Sequence, residues 1–442
     1  MSRRRGLDAN RVGSQTTPMV ITLLRARRFL PLFITQFLGA LNDNLFKNAM
    51  ALLLLWRAGD AGPLLVVAAG GVFILPYALF SSLAGELADR SEMTRVIRAV
   101  KLFEIALMAL GAAGLVTASP WLLMAVLFGM GVHSTFFGPL KYAILPVQLG
   151  AGELVAGNGL VEAGTFLAIL AGTILGGGLV LADGGVWIVS ALGLAVALAG
   201  YATARAIAPA PAADRGLALD WNIWRGTASL LRLARGNREV WRAILAISWF
   251  WTVGATVLSQ FPVMAKDVLG AGSGVVTVFL AVFSVGIGAG SMLEARLLKG
   301  EVSLRHIGWA ALGISLFAWD FVAACDGARF ADVAAVLAAA TGWRVVGDLF
   351  ALAVCGGIFS VPLYALLQAR SAPAARSRMI AANNVLNAAF MVAGAAVAAA
   401  MTAAGAGAPR ILEATAAANL LALGVMLWRM PADVRLAPRR SV

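Results

Sequence analysis

The chain has 442 residues, of which 60% are hydrophobic and 13% charged, against roughly 45–50% and about 25% in a soluble domain. One soluble core cannot absorb that surplus, so the chain reads as an integral membrane protein, which excludes most soluble enzymes, secreted disulfide scaffolds and disordered tails. Its net charge of +13, from 35 Lys+Arg and 22 Asp+Glu, fits basic loops facing anionic lipid heads rather than a nucleic-acid partner.

Two cysteines (Cys325, Cys355) and two histidines (His133, His306) argue against a disulfide framework and a His-rich metal or haem site; no metal or cofactor is expected. The first element is a basic N-terminus with Arg3, Arg4, Arg5, Arg11, Arg25, Arg27 and Arg28. The apolar run after it is too long for a cleaved signal and reads as a retained first span. Runs of about 20 apolar residues then predict twelve spans: 29–56, 63–88, 97–117, 120–142, 159–182, 186–205, 241–263, 273–298, 306–325, 346–368, 379–402 and 411–430. They lack the alternation of barrel strands, so the expected fold is all-α.

With both termini inside, 29 Lys/Arg fall on the cytoplasmic side and five outside, with Lys47 inside the first span; this bias sets the expected orientation. The expected domains are a cytoplasmic N-terminus (1–28), a six-helix half (29–205), a cytoplasmic linker (206–240), a second six-helix half (241–430) and a cytoplasmic tail (431–442). Within the linker, 221–235 places Trp221, Trp224, Ala228 and Leu231 at helical spacing between arginines, which predicts a helix lying on the inner leaflet. An outer stretch, 326–344, is expected to hold a short surface helix over 331–340. Turns are expected at 59–63, 182–185 and 403–409.

The halves resemble each other. Gly85 is followed by Asp89 and Arg90, and Gly290 by Glu294 and Arg296. Pro139-Leu140-Lys141-Tyr142 is matched by Pro362-Leu363-Tyr364, and the stretch around Asn158 and Glu162 by that around Asn383 and Asn387. All three matches run in the same direction at equivalent spans. Parallel six-helix halves are the hallmark of major facilitator transporters, whose substrate site lies between the halves, and the segment from Gly85 to Arg95 looks like that superfamily's loop between spans 2 and 3. Gly85, Asp89, Arg90 and Glu294 are therefore gating candidates: the glycine permits close approach, and Asp89 can pair with basic groups on the opposing half and hold one gate state shut.

Ionisable groups at membrane depth usually face a cavity. Span 1 carries Gln36, Asn42, Asp43, Asn44, Lys47 and Asn48, with Asp43 and Lys47 one turn apart and able to neutralise each other. Lys101 near the inner surface and Glu104 deeper are expected to pair. Asp43, Asn44, Lys47, His133, Lys141, Asn158, Glu162, Asn383 and Asn387 are the substrate-binding candidates. Asp320 is expected to pair near the outer surface. The glycines of 172–178 read as a close-packing surface, since no phosphate-loop pattern follows.

Several stretches go beyond the superfamily. The run from Gln36 to Lys47, the run His133 to Pro146, the run Asn158 to Ala168, and those from Val361 to Gln368 and Ile380 to Asn387 resemble the bacterial lysophospholipid transporter family (LplT type), most of all the transporter module fused in many bacteria to acyltransferase and acyl-ligase domains. Since this chain runs to Val442, any acyltransferase is expected as a separate protein. The resemblance implies an inner-membrane flippase that moves lysophosphatidylethanolamine-type lipids inward for reacylation. Asp43 and Glu162 would attract an ammonium and Lys47 or Lys141 a phosphate. Two other readings stay open: a multidrug or small-solute exporter on the same fold, and a non-transporting anchor for an acyltransferase. No nucleophile constellation suggests an enzyme, and a monomer is expected.

Overall fold

Apolar runs of this length satisfy their backbone in lipid by closing every hydrogen bond inside a helix, and that is what they do here. A computed structural model describes residues 18–57 and 62–429. Arg3, Arg4, Arg5, Arg11, most of the turn at 59–63 and the 431–442 tail lie outside the described residues.

The helices are, in order, α1 (Pro18–Arg25), α2 (Leu30–Arg57), α3 (Gly62–Arg90), α4 (Met93–Thr117), α5 (Pro120–Ala143), α6 (Leu145–Gln148), α7 (Leu154–Leu179) and α8 (Gly185–Arg205). They continue with α9 (Ile223–Gly236), α10 (Arg238–Val263), α11 (Ser273–Leu298), α12 (Ile307–Cys325), α13 (Val333–Ala338), α14 (Ala340–Arg370), α15 (Arg376–Ala403) and α16 (Ala408–Arg429). Among the described residues, twelve have 19 residues or more, each on one of the expected spans. Ten are long and apolar enough to cross a membrane. The other two, α2 with its polar cluster and α16, have 28 and 22 residues and pack in the same bundle.

Helices overrun their apolar cores where polar residues still favour helical bonding. Thus α7 begins at Leu154 rather than 159, and α14 at Ala340 rather than 346, taking in Arg344. The short outer helix is α13.

The repeat read from the sequence is visible in the packing. In the first half α2 packs on α7, α3 on α5 and α4 on α8; in the second, α10 packs on α15, α11 on α14 and α12 on α16. The halves meet through two further related pairs, α7–α11 and α3–α15. Glycines set the closest approaches: any Cβ on Gly172 or Gly176 would drive into the Leu41 and Leu45 carbonyls of α2, the close packing that small residues allow in membranes.

Exposed tryptophans collect at the two ends of the bundle. Trp56, Trp121, Trp187 and Trp343 sit at one end, and Trp221, Trp224 and Trp309 at the other, as expected of rings at two membrane–water interfaces. The second end also carries Arg90, Arg205, Arg296, Arg305, Arg370 and Arg378 and is called the basic end below.

Helix α9 bridges the halves at the basic end, packing on α3, α10 and α15. Its inward stripe is Gly226, Leu230 and Ala234, four apart. Trp221 precedes the helix, and Trp224 and Ala228 face outward. Small residues fit on the inward face, where Ser82 Oγ would lie 2.7 Å from a Cβ on Gly226, and the bulky indoles are left outside. Asp220 anchors the entry to α9: its amide donates to Glu86 at 2.8 Å, and its carboxylate accepts from Arg225 at 2.7 Å. That hydrogen bond holds the Asp220 carboxyl down at about 2.

Candidate functional site

The residues of α2 lay out the site. Between Leu41 and Met50 burial alternates in pairs, and the half-exposed positions are Asp43, Asn44, Lys47 and Asn48, one face of a 3.6-residue helix. They line a cavity of about 610 Å³ between the two halves. From α5, His133, Ser134, Phe137 and Lys141 join them, and α3 adds Phe73 and Tyr77. The second half supplies Trp251, Tyr364, Asn384 and Asn387. Every ionisable carboxyl, amine or imidazole on this lining belongs to the first half; the second contributes amides, aromatic rings, Ala388 and Met391.

Asp43 and Lys47, one turn apart, form no close ion pair among the described residues. Ser134 donates to Asp43 Oδ2 at 2.7 Å, and Lys47 Nζ lies 4.3 Å from the centroid of the Phe73 ring, a cation–π contact. Lys141 Nζ lies over Tyr142, 4.9 Å from its centroid. Among the described residues neither lysine has a carboxylate within 4 Å. Asn44 turns its amide back to the Ala40 carbonyl at 2.8 Å, and Asn387 accepts from Ser248 at 2.8 Å.

Three of the expected substrate-binding residues lie off the cavity lining. Asn158 is fully buried and bonded to Gln368 of the opposite half, donating at 2.7 Å and accepting at 2.9 Å. Glu162 is buried and accepts from the Tyr142 hydroxyl at 2.7 Å. Asn383 is buried, while its neighbour Asn384, one helical step round, reaches the lining.

Behind the cavity lies a buried polar group that the sequence only partly disclosed. Lys101 and Glu104 form an ion pair, as expected from their spacing, but not at the surface: both are at most 1% exposed. The room comes from two glycines. A Cβ on Gly39 would stand 3.2 Å from Lys101 Nζ, and one on Gly200 2.9 Å from its Cε. Asn42 donates to Glu104 at 2.9 Å, and His133 Nε2 lies 3.3 Å from the same carboxylate.

The comparisons with known proteins agree with this architecture. Residues 32–346 match the model of the Major Facilitator Superfamily. A lysophospholipid transporter LplT of Enterobacter sp. is 30% identical over 361 residues, 79% of this chain and 82% of that protein. One from Escherichia coli O157:H7 is 30% identical over 355 residues with the same coverage. This chain belongs to the LplT-type family of the major facilitator superfamily. Among solved structures, the human organic anion transporter MFSD10 is similar with a TM-score of 0.70 at 15% identity, covering 90% of this chain and 99% of its own. A bacterial homologue of the iron transporter ferroportin in an outward-facing state gives 0.68 at 14%, covering 90% and 98%. At such identities they show the shared fold.

In this LplT-type chain the basic end is shut. Asp89, fully buried, crosses to the start of α15, where its carboxylate accepts from the amides of Ser377 (3.0 Å) and Arg378 (3.3 Å) and from Arg378 Nε (3.0 Å). A carboxylate on unfilled amides at a helix N-terminus is favoured by the helix dipole. Gly85 permits the approach, since a Cβ there would stand 2.7 Å from that of Ala381. Arg90 is exposed and takes no part.

The related interface, α7 on α11, closes differently. Glu294 stays in its own half, 2.9 Å from His306 Nδ1, and the helices meet where Gly159 lies against the Ser291 carbonyl, which would stand 2.9 Å from an added Cβ. Glu294 thus does not reproduce the reach of Asp89. Above these contacts Tyr142 and Tyr364 stack across the halves with centroids 4.4 Å apart and planes at 8°, and form the floor of the cavity. Toward the opposite end α15 is almost entirely uncovered past Ala388. Asp320 pairs with Arg344 near that end.

Proposed function

We propose that this protein carries lysophosphatidylethanolamine-type lysophospholipids across a bacterial inner membrane by alternating access of the central cavity, and so acts as a flippase. The observation that carries this reading is the lining itself: Lys47 and Lys141, which have no carboxylate within ion-pair distance among the described residues, share one cavity with the carboxylate of Asp43. A phosphodiester bearing an ammonium group has the complementary charges, and charge-assisted hydrogen bonds are the strong ones. The names of the curated relatives support the same substrate class.

A single acyl chain needs an apolar path beside the head group. The alanine- and methionine-rich face of α15 beyond Ala388 offers one on the side where the halves part. The basic end faces the cytoplasm in this reading, so the conformation described is open outward. The lipid enters from the outer leaflet and leaves inward once the Tyr142–Tyr364 floor separates. The protein's part is binding and movement, with no covalent step.

The test is reconstitution of the purified protein into vesicles with tail-labelled lysophosphatidylethanolamine, following the fraction extractable by albumin. Protein-dependent loss of extractable lipid supports the reading, and its abolition by Lys141→Ala ties it to this cavity. No lysolipid movement by folded protein, together with movement of a cationic amphipathic drug, would turn the assignment to a drug exporter.

A further inference from the structure

Among the described residues, five buried polar atoms on lining side chains have no hydrogen-bond partner: the amide nitrogens of Gln36 and Asn384, both ring nitrogens of His133, and Asp43 Oδ1; Asp43 Oδ1 and His133 Nδ1 are the two of them able to accept that do not face Glu104. Buried acceptors left empty are costly in a protein interior, so a pair of them on one lining suggests a ligand that donates. Sequence brings them together. Ser134, next to His133, holds the other oxygen of Asp43 at 2.7 Å, and the carboxylate lies within electrostatic reach of the imidazole.

The far side of the ring faces a carboxylate. Nε2 lies 3.3 Å from Glu104, whose charge is matched by Lys101 and whose second oxygen is fixed by Asn42. An imidazole beside a carboxylate keeps its proton on the facing nitrogen, which leaves a lone pair on the other. Phe137 stacks on the ring at 6.0 Å and 10°, which further restrains its orientation.

We propose that Asp43 Oδ1 and His133 Nδ1 form a paired-acceptor subsite for the N–H groups of a primary ammonium, with Glu104 as the positioning residue that fixes the imidazole. This deepens the proposed function and rests on it. It makes a distinction that charge alone cannot: a trimethylammonium head carries the same charge and has no N–H to donate.

The experiment compares tail-labelled lysophosphatidylethanolamine with lysophosphatidylcholine in the same vesicles, together with the thermal stabilisation of the detergent-solubilised protein by each lipid. Wild type is expected to favour the primary ammonium by about tenfold, the scale of one charge-assisted hydrogen bond. His133→Gln keeps a polar group toward Glu104 and removes the Nδ1 acceptor. Its preference should fall below about threefold. Glu104→Asp keeps the charge beside Lys101 but withdraws from the ring, and should lower the preference in the same direction while leaving the melting temperature of the unliganded protein close to wild type.

Equal handling of the two lipids by wild type overturns the subsite, and so does a preference that survives both substitutions. If a variant carries no lipid at all, the stabilisation measurement decides: loss confined to the ethanolamine lipid supports the subsite, and equal loss with both lipids overturns it. Wild type that neither moves nor is stabilised by any lysolipid removes the proposed function itself, a result distinguishable from failure of the subsite alone.

Discussion

Asn158 and Gln368 join the two halves through reciprocal amide hydrogen bonds of 2.7 and 2.9 Å, with both side chains fully buried. Neither amide carries charge, so the contact can separate without exposing an ion to the interior. Removing one partner leaves the other unsatisfied at a cost of about 1–3 kcal/mol, whereas removing both is milder. Asn158→Ala should therefore loosen the basic end. A cysteine at Ala388, on the cavity lining, should then be labelled faster by an impermeant maleimide added from that end, and Asn158→Ala/Gln368→Ala should fall back toward wild type. Labelling unchanged in the single variant would mean that the amides do not hold the closure.

Asp89 makes a second, charged closure. Because two of its three bonds come from backbone amides of α15, Arg378→Ala should weaken it less than Asp89→Ala. Loss of the carboxylate from the helix start is expected to cost about 1–2 kcal/mol. Asp89→Asn, which can still accept from the amides, should lie between. The maleimide assay ranks the three, and an equal effect of Arg378→Ala and Asp89→Ala would contradict the helix-end account.

Lys101 and Glu104 should be tightly coupled in stability. Lys101→Met leaves a buried carboxylate without its cation, a change that typically costs about 3–5 kcal/mol. Lys101→Met/Glu104→Gln removes both charges and should recover most of that loss. Thermal unfolding in detergent measures it; additive losses in the double variant would show that the two side chains act independently.

The two cavity lysines should differ from these structural charges. Each already lies on an aromatic ring and, among the described residues, has no carboxylate partner, so Lys47→Met or Lys141→Met should change the melting temperature little. Under the proposed function either change should weaken lipid handling by about tenfold or more, the scale of a lost charge-assisted hydrogen bond. A large stability loss with unchanged transport would reassign the lysine to the scaffold.

The face of α2 was legible because helical periodicity alone decides which of Asn42, Asp43, Asn44 and Lys47 share a side. Apolar run length placed the long helices, and three matched motifs disclosed the repeat. Partners were harder to read. Asp43 and Lys47 have the spacing of an ion pair, yet Ser134 and Phe73 from other helices outcompete it. Lys101 looked peripheral because nothing local shows that Gly39 and Gly200 open a space for it. The sequence places Asn158 among lining candidates because a buried amide in a span usually faces something polar. Its partner lies 210 residues away, a distance that only the fold closes. The same holds for Arg378 and Ser377, which complete the contact that Asp89 implied.

The lining's division of labour sets the character of the motion. All its lysines, its carboxylate and its imidazole ride on one half, while the other presents amides, aromatic rings and apolar groups. In the proposed alternating access, those charges keep the neighbours they already have on α2, α3 and α5, and much of their desolvation is a fixed cost of folding, common to both states. What changes in each cycle is mainly uncharged: a tyrosine stack, an amide pair and glycine-lined seams. The charged contact between the halves seen among the described residues, Asp89 on α15, lies at the basic end beside the loop residues 213 and 214, where water can replace it.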